Sequence, residues 1–376
     1  MSSAEARPVL VAALSGRALA AAARRAGDAG LVLDLFADQD TAQLAGRCVK
    51  LPGAGAGFDP AALLAAVERL APAARGLVYG AGLEHDPALL AAIAARLPLL
   101  GNAPATVAAV KDPMAFARLL ARLGLPHPET TLAAPPPGTP GWLLKQAGAS
   151  GGRHVVPAAG ATATPGRYFQ RCVAGEAVSA LFVADGRAAR VLGLSRQWTA
   201  PTDATPYRYG GCAGPLRLSR HLAAAITAAC SALAAATGLV GLNSLDMSVR
   251  GDRFHILELN PRPGATLDIF DGGAPPLWRA HLDALRGRLP EQNPSPGGMM
   301  RGAALLYAPA ALAVPPAMAW PRWTADRGAA GTPVLQRDPV CTVLATGRSL
   351  AAVRAQLEQR MAEVLTRLAA GAAAAA

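Results

Sequence analysis

The sequence predicts an α/β chain of two or three packed lobes with an α+β segment in the middle. Three observations predict it. The first hundred residues alternate strand-like and helix-like segments; from Trp142 onward, short β-rich runs are divided by glycine or by Asp185-Gly186; and 376 residues are more than one ordinary core organises. The first lobe reads as PVLVAAL, a helix through Arg24, LVLDLF, a strand near CVKLP, a helix from Asp59 to Leu70, GLVYG, and a helix from Pro87 to Arg96. Strands alternating with helices imply a parallel sheet covered on its faces. The turn after the first strand, Leu14-Ser15-Gly16-Arg17, lacks the GxGxxG spacing that lets a backbone approach a dinucleotide pyrophosphate, which disfavours a nicotinamide enzyme. Ser15 and Gly16 suit either a tight turn with a helix cap or an anion site.

From Thr106 one helix is expected through AAVKDPMAFARLLARLG, followed by the proline-rich stretch 135–140 and strands in WLLKQ, HVV, YFQRCV, AVSALFV and AARVLGL. Their short runs and turn residues read as antiparallel hairpins. A long helix from about Ser219 to Thr237 precedes two strands, LNSLDMSV and FHILELN, joined by Arg250-Gly251-Asp252-Arg253. A linker from Pro290 to Gly298 introduces a last lobe with strands near AALLYA and CTVLATG and a helix from Ser349 to Leu368; the Gly371–Ala376 run is expected to fray.

Composition narrows the function classes. Hydrophobic residues make up 52% against 16% charged, yet no apolar run approaches the roughly eighteen residues of a membrane span. The start MSSAEARPVL shows no signal-peptide pattern, so a cytoplasmic protein is expected. Five dispersed cysteines without a CxxC pair argue against a zinc cage or a disulfide framework. The charge of +11 would permit an acidic partner, but scattered arginines, 5% aromatics and no basic run beyond two residues argue against nucleic acid. Of 36 basic residues only Lys50, Lys111 and Lys145 are lysine. A bias toward arginine should spare lysine only where a compact ammonium is needed, as at a phosphate site.

Asp246, Glu258, Asn260 and Arg262 form the strongest cluster. Residues two apart on a strand share a face, so Glu258, Asn260 and Arg262 make one row if the strand persists to Pro263. Such oxygens suit Mg²⁺, which takes one or two carboxylates together with water and phosphate oxygens. Asp246 faces Glu258 if the hairpin loop centres on Asp252; a two-residue loop would set it opposite Leu257. An edge hairpin with solvated charges is the alternative for an acidic pair, but Ile256, Leu257 and Leu259 flank these residues, and an unpartnered carboxylate in apolar company is costly. The second cluster is Lys145 with the loop from Ala147 to Arg153. A strand ending in lysine before Gly151-Gly152 can fold backbone N–H groups over phosphates, although a hairpin turn uses the same residues. It is not a Walker A sequence. The six histidines are isolated and show no ligand spacing, and no serine lies in a GxSxG elbow.

The order Lys111, WLLKQAGASGG, YFQRCVAGE, GLNSLDMSV and ILELNPRPGAT resembles the ATP-grasp superfamily, in particular its biotin-carboxylase-related carboligase and carboxylate-amine ligase branch, over roughly residues 104–275. The resemblance implies an ATP-grasp fold: a Rossmann-like N-terminal domain (1–103), an ATP-grasp domain (104–290) with a lid at about 142–194 and a metal-binding hairpin at 242–264, and a small C-terminal lobe (291–376). It implies that Lys111 and Lys145 bind ATP phosphates under the Gly151-Gly152 loop. Gln170, Arg171 and Val173 would belong to the hinge that recognises adenine. Asp246, Glu258 and Asn260 would hold Mg²⁺ or Mn²⁺, Arg262 would stabilise an acyl phosphate, and Arg196 would meet an acidic substrate. Where many members carry a ribose-binding acid this chain has Ala177, with Glu176 one place early. The implied activity is ATP-dependent activation of a small-molecule carboxylate for attack by an amine; a faint similarity to ligases of tetrahydromethanopterin- and methanofuran-type one-carbon metabolism suggests cofactor assembly. Bicarbonate activation and a non-catalytic ATP-binding subunit are the other implied readings. No nucleic-acid or membrane partner is expected.

Overall fold

The computed structural model describes residues 7–55, 57–291 and 298–375. Strands β1 (Leu10–Ala12), β2 (Leu31–Asp34), β3 (Arg47–Lys50) and β4 (Leu77–Tyr79) form a parallel sheet in the order β3-β2-β1-β4. Its alternation feeds two cores. Val11 joins residues of α1 (Arg17–Arg25), whereas Leu10 and Ala12 join those of α2 (Pro60–Leu70) and α3 (Pro87–Ala94). Asp59 and Asp86 start α2 and α3 by accepting the N–H groups of Ala62 and Leu89, each followed by a proline whose missing N–H costs nothing there. The Leu14–Arg17 turn is occupied by the chain's own carboxylates: Gly16 N–H donates to Asp34 at 2.8 Å and Ser15 Oγ to Asp326 at 2.8 Å. Arg17, buried beside them, pairs with Asp268 and Asp326.

The single helix expected after Thr106 is two, α4 (Pro104–Lys111) and α5 (Pro113–Arg122), because Asp112 is extended at φ −71°, ψ 117° and caps α5 through Ala115 N–H. The residue before a proline disfavours helical backbone, so Pro113 imposes the break and leaves Lys111 at a helix end.

Strands β5 (Thr130–Thr131), β6 (Trp142–Gln146), β7 (Val156–Pro157) and β8 (Arg167–Arg171) form a small antiparallel sheet in the order β5-β8-β6-β7. The expected lid of about 142–194 therefore crosses two sheets. β9 (Glu176–Asp185) and β10 (Ala189–Thr199) instead enter an eight-stranded antiparallel sheet with β11 (Tyr209–Gly214), β12 (Val240–Arg250), β13 (Arg253–Asn260), β14 (Met300–Tyr307), β15 (Thr324–Ala325) and β16 (Pro339–Gly347). Its order is β13-β12-β9-β10-β11-β14-β16-β15. The C-terminal strands thus extend this sheet, although α8 (Leu350–Ala375) covers a core of their own with Val353, Leu357 and Val364. The helix runs to Ala375, past the glycine where fraying was expected, and most of the expected Pro290–Gly298 linker lies outside the described residues. Among the described residues no helix is long and apolar enough to cross a membrane.

Two helices sandwich the central strands. On one face α6 (Arg220–Thr237), capped by Ser219 and ended by Gly238 at φ 69°, buries Leu222, Ile226, Cys230 and Leu233 against Val178, Phe182 and Met247. On the other, α7 (Leu277–Ala284) sets Leu277 and Trp278 against Leu181, Val183 and Leu242. Asn102 fastens the parallel-sheet domain to this core. Its amide donates to Asn243 Oδ1 (2.8 Å) and Pro261 O (2.9 Å) and accepts Val240 N–H (2.8 Å). His281 does the same from α7: Nδ1 accepts Leu242 N–H at 2.9 Å, so the Nε2 proton is donated to Leu100 O at 2.8 Å.

Burial pushes the His281 pKa from 6.5 down to about 4. The folded ring stays neutral where the unfolded ring is already protonated. Its contribution is therefore whole above pH 6.5 and is lost as pH falls toward 4, roughly 3 kcal/mol in all. Urea unfolding across this range should show that loss in the wild type, and His281→Gln, which retains a donor and an acceptor but no titrating ring, should show a flatter profile.

Candidate active site

The acidic row is built by the β12–β13 hairpin. Its turn is the two-residue Gly251-Asp252, closing on the pair Arg250 and Arg253, and not a loop centred on Asp252. With that turn alone Asp246 would stand opposite Leu257. The register shifts at this point: Met247 pairs with Ile256, Leu257 is left over as a bulge, and Asp246 pairs with Glu258 and Ser244 with Asn260. The bulge brings both carboxylates and the Asn260 amide to one face. The strand ends at Asn260, so Arg262 does not continue the row as expected. A turn closed by Arg262 N–H on Asn260 O (2.8 Å) still brings Arg262 Nη2 to 3.5 Å from Asn260 Oδ1.

Lys111, delivered by the end of α4, reaches this row. Its Nζ donates to Glu258 Oε1 at 2.5 Å and Asn260 Oδ1 at 2.9 Å, while the Asn260 amide nitrogen donates to Asp246 Oδ2 at 3.0 Å. Burial by itself would raise the Glu258 pKa, but the Lys111 and Lys145 ammoniums outweigh it and hold the carboxyl down at about 2. Asp246 is pushed up by burial and by the charge of Glu258. A cation lying between two oxygen donors is already the local arrangement. Two carboxylates and an amide oxygen fit a hard divalent ion that completes its shell with phosphate and water. Among the described residues no group of three or more His, Cys, Asp or Glu gathers as a metal cluster, which accords with so sparse a donor set.

Lys145 enters from β6, its Nζ 3.1 Å from Gln170 Oε1 and 5.7 Å from the Tyr168 ring centre; burial pushes its pKa down, against the pull of Glu258 and Asp246. The following loop is pinned at its glycines. Gly151 O accepts Tyr209 N–H at 2.9 Å, and Gly152, at φ +70°, passes so close to residue 207 that a Cβ there would sit 2.1 Å from Tyr207 O. On its other flank a Cβ at Gly148 would meet His85 Cα at 2.6 Å. These contacts require glycine.

A cavity of about 380 Å³ joins these parts, lined by Lys145, Gly151, Gly152, Asp246, Glu258, Asn260 and Arg262, with Trp198, Tyr207 and Tyr209 on a further wall. A narrower pocket beside it, bounded by Phe116, Leu120, Tyr168 and Gln170, also has Lys111 and Glu258 in its wall. Two of the expected site residues turn elsewhere. Arg171 alternates away from Gln170 along β8, donates to Pro140 O at 2.9 Å and stacks 5.6 Å over Trp142. Arg196 pairs with Glu176, while its neighbour Gln197 lines the cavity. Ala177 also lines it and brings no acid. Val173, expected at the hinge, lines neither pocket; its carbonyl lies 3.4 Å from Ser248 Oγ.

Several site residues escaped the sequence reading. His154 lines both pockets. The Ser244 and Thr266 hydroxyls are buried on the cavity wall without a hydrogen-bond partner among the described residues. Glu84, 1% exposed, accepts Arg262 Nε–H at 2.6 Å. The available signal for Glu84 was its place just beyond a parallel strand's carboxyl end, where α/β sheets gather ligands.

Residues 110–266 match the family model of the ATP-grasp domain. Comparison with curated proteins finds no match by sequence. Among solved structures, a biotin carboxylase from Campylobacter jejuni superposes with a TM-score of 0.70 at 15% identity, covering 94% of this chain and 91% of that one. A carboxyaminoimidazole ribonucleotide synthase from Aspergillus clavatus complexed with ATP gives 0.69 at 15% identity over 97% and 100%. An L-amino acid ligase from Bacillus licheniformis gives 0.66 at 14% identity over 94% and 97%. At these identities the likeness establishes a common fold.

Gly152→Ala should unseat the glycine loop, since neither the positive φ nor Tyr207 O leaves room for a methyl group. Limited proteolysis mapped by mass spectrometry should find new cleavage within 147–153, with a stability loss of only about 1–3 kcal/mol.

Proposed function

Since residues 110–266 match the ATP-grasp domain and the chain has the ATP-grasp fold, we propose that it is an Mg-ATP-dependent ligase that activates a carboxylate as an acyl phosphate for attack by an amine. The observation that carries this reading is the convergence of Lys145, the Gly151-Gly152 loop, the Asp246–Glu258–Asn260 row and Arg262 on one cavity. In the proposed reaction a carboxylate oxygen attacks the γ-phosphorus of ATP and ADP leaves. The amine nitrogen then attacks the acyl carbon, phosphate departs, and the nitrogen loses a proton as the amide forms. Mg²⁺, when bound, supplies neutralising charge for the phosphate oxygens.

Each protein group has a task. Asp246, Glu258 and Asn260 would hold the ion through oxygen, with Glu258 kept ionised by the neighbouring ammoniums. Lys145 would meet phosphate oxygens as a point charge, and Lys111, already 2.5 Å from Glu258, would balance the anionic row. The loop around Gly152 would keep water from the acyl phosphate, which hydrolysis would otherwise waste. Arg262 would neutralise charge on the activated carboxylate. The small sheet of residues 130–171 is the lid in this reading, with Gln170 and Val173 at the adenine side. The Trp198, Tyr207 and Tyr209 wall favours an organic acid or amine with apolar surface over bicarbonate alone.

An ADP-release assay across carboxylate and amine pairs tests this. A productive pair should release ADP and form amide in equal amounts, and Glu258→Gln should reduce the rate at least about a hundredfold while the fold persists, because the amide keeps the shape and loses the charge. Full activity in that variant would defeat the assignment.

A further inference from the structure

The loop after β4, in the parallel-sheet domain, reaches the cavity through Ala81, and its Glu84 holds Arg262 of the cavity wall. Glu84 is buried, and its two oxygens do different work: Oε2 accepts Gly82 N–H at 3.1 Å, fixing the carboxylate to its own loop, and Oε1 accepts Arg262 Nε–H at 2.6 Å. The rest of the guanidinium is held only loosely, with Nη1 3.4 Å from Pro263 O and Nη2 3.5 Å from Asn260 Oδ1, both beyond good hydrogen-bond length. Glu84 therefore grips Arg262 by its Nε edge and leaves the two terminal nitrogens available. That available edge has a defined setting. A Cβ at Gly264 would fall 2.8 Å from Ser244 Oγ and 3.2 Å from Arg262 Nη1, so the bare glycine leaves open the space that these two donors share. The Ser244 and Thr266 hydroxyls on the same wall have no partner among the described residues.

We propose that Glu84 is a positioning residue, which holds Arg262 so that its terminal N–H groups meet the oxygens of an acyl phosphate. The same loop also packs against the glycine loop, since a Cβ at Gly148 would meet His85 Cα at 2.6 Å. This rests on the ligase reading for the identity of the ligand, but the orientation of Arg262 by Glu84 is testable without it. Without the carboxylate, the guanidinium keeps its charge and loses its fixed direction. Pro263 O and Asn260 Oδ1, the latter already shared with Lys111, are then its nearest acceptors.

Two measurements decide the matter. The first is calorimetric titration of phosphonoacetate, a stable acyl-phosphate mimic, into protein saturated with MgADP. Glu84→Gln should weaken phosphonoacetate binding by about tenfold or more, with MgADP affinity unchanged, and Glu84→Asp should recover part of the loss. In an Arg262→Lys background the same Glu84→Gln change should cost less than about threefold, because the residue acts through the arginine. Equal losses in both backgrounds, or none in the wild-type background, would overturn the proposal. The second is a crystal structure of Glu84→Gln. An Arg262 side chain turned away from Ser244 supports the proposal, and one left in place overturns it even if phosphonoacetate binding falls. If MgADP fails to bind the wild type, the nucleotide reading has failed, and the crystal structure alone decides the role of Glu84.

Discussion

One bulged residue governs the geometry of the site. Side chains alternate along a strand, so a two-residue turn at Gly251-Asp252 would by itself put Glu258 on the face opposite Asp246. Leu257 absorbs one position, and from there to the strand end the row Glu258–Asn260 faces the cavity instead of the α6 core. The apolar neighbours follow the same logic: Ile256 and Leu259 go to that core, with Met247 and Leu245 from the partner strand. The bulge thus satisfies two demands at once, an apolar underside for the sheet and an anionic upper side for ligands.

Gathering two carboxylates on a buried face carries an electrostatic cost that the chain meets with its scarcest cation. Lys111 and Lys145 arrive from different elements, a helix end made by Pro113 and a strand of the small sheet, and both act on Glu258. The opposite shifts of Glu258 and Asp246 follow from proximity: the former touches an ammonium, while the latter sees mainly burial and the charge of its neighbour. An arginine at either position would bring a planar fork and fixed directions where a compact charge is required. Lys50, the third lysine, lies exposed on the edge strand β3, so scarcity alone did not mark function.

Much of this was legible because the chemistry is local. Asp246, Glu258 and Asn260 stood out as polar groups in apolar strands, and the glycine loop stood out beside its lysine. Parity was the harder matter. The middle stretches of β9 and β10 are buried on both faces, and their pairing slips between Leu181 and Phe182, so no alternation of polar and apolar residues told which of Arg196 and Gln197 faces the cavity. Strand β11, reading YGGCAG, was not among the expected strands; glycine is needed there because the Trp198 side chain fills the space a Cβ at Gly211 would need. Glu84 was invisible for another reason. Its partner lies 178 residues away, and only the docking of the parallel-sheet domain, through contacts such as those of Asn102 and His281, brings them together.

The account stands or falls on the acidic row being a nucleotide-linked divalent-cation site. Titration of Mn²⁺ by electron paramagnetic resonance, with and without ADP, measures that directly. The account predicts Mn²⁺ binding that ADP strengthens and that Asp246→Asn weakens at least about tenfold, since the variant removes one of only two carboxylates available to the ion. Undiminished, ADP-dependent Mn²⁺ binding in Asp246→Asn would contradict it.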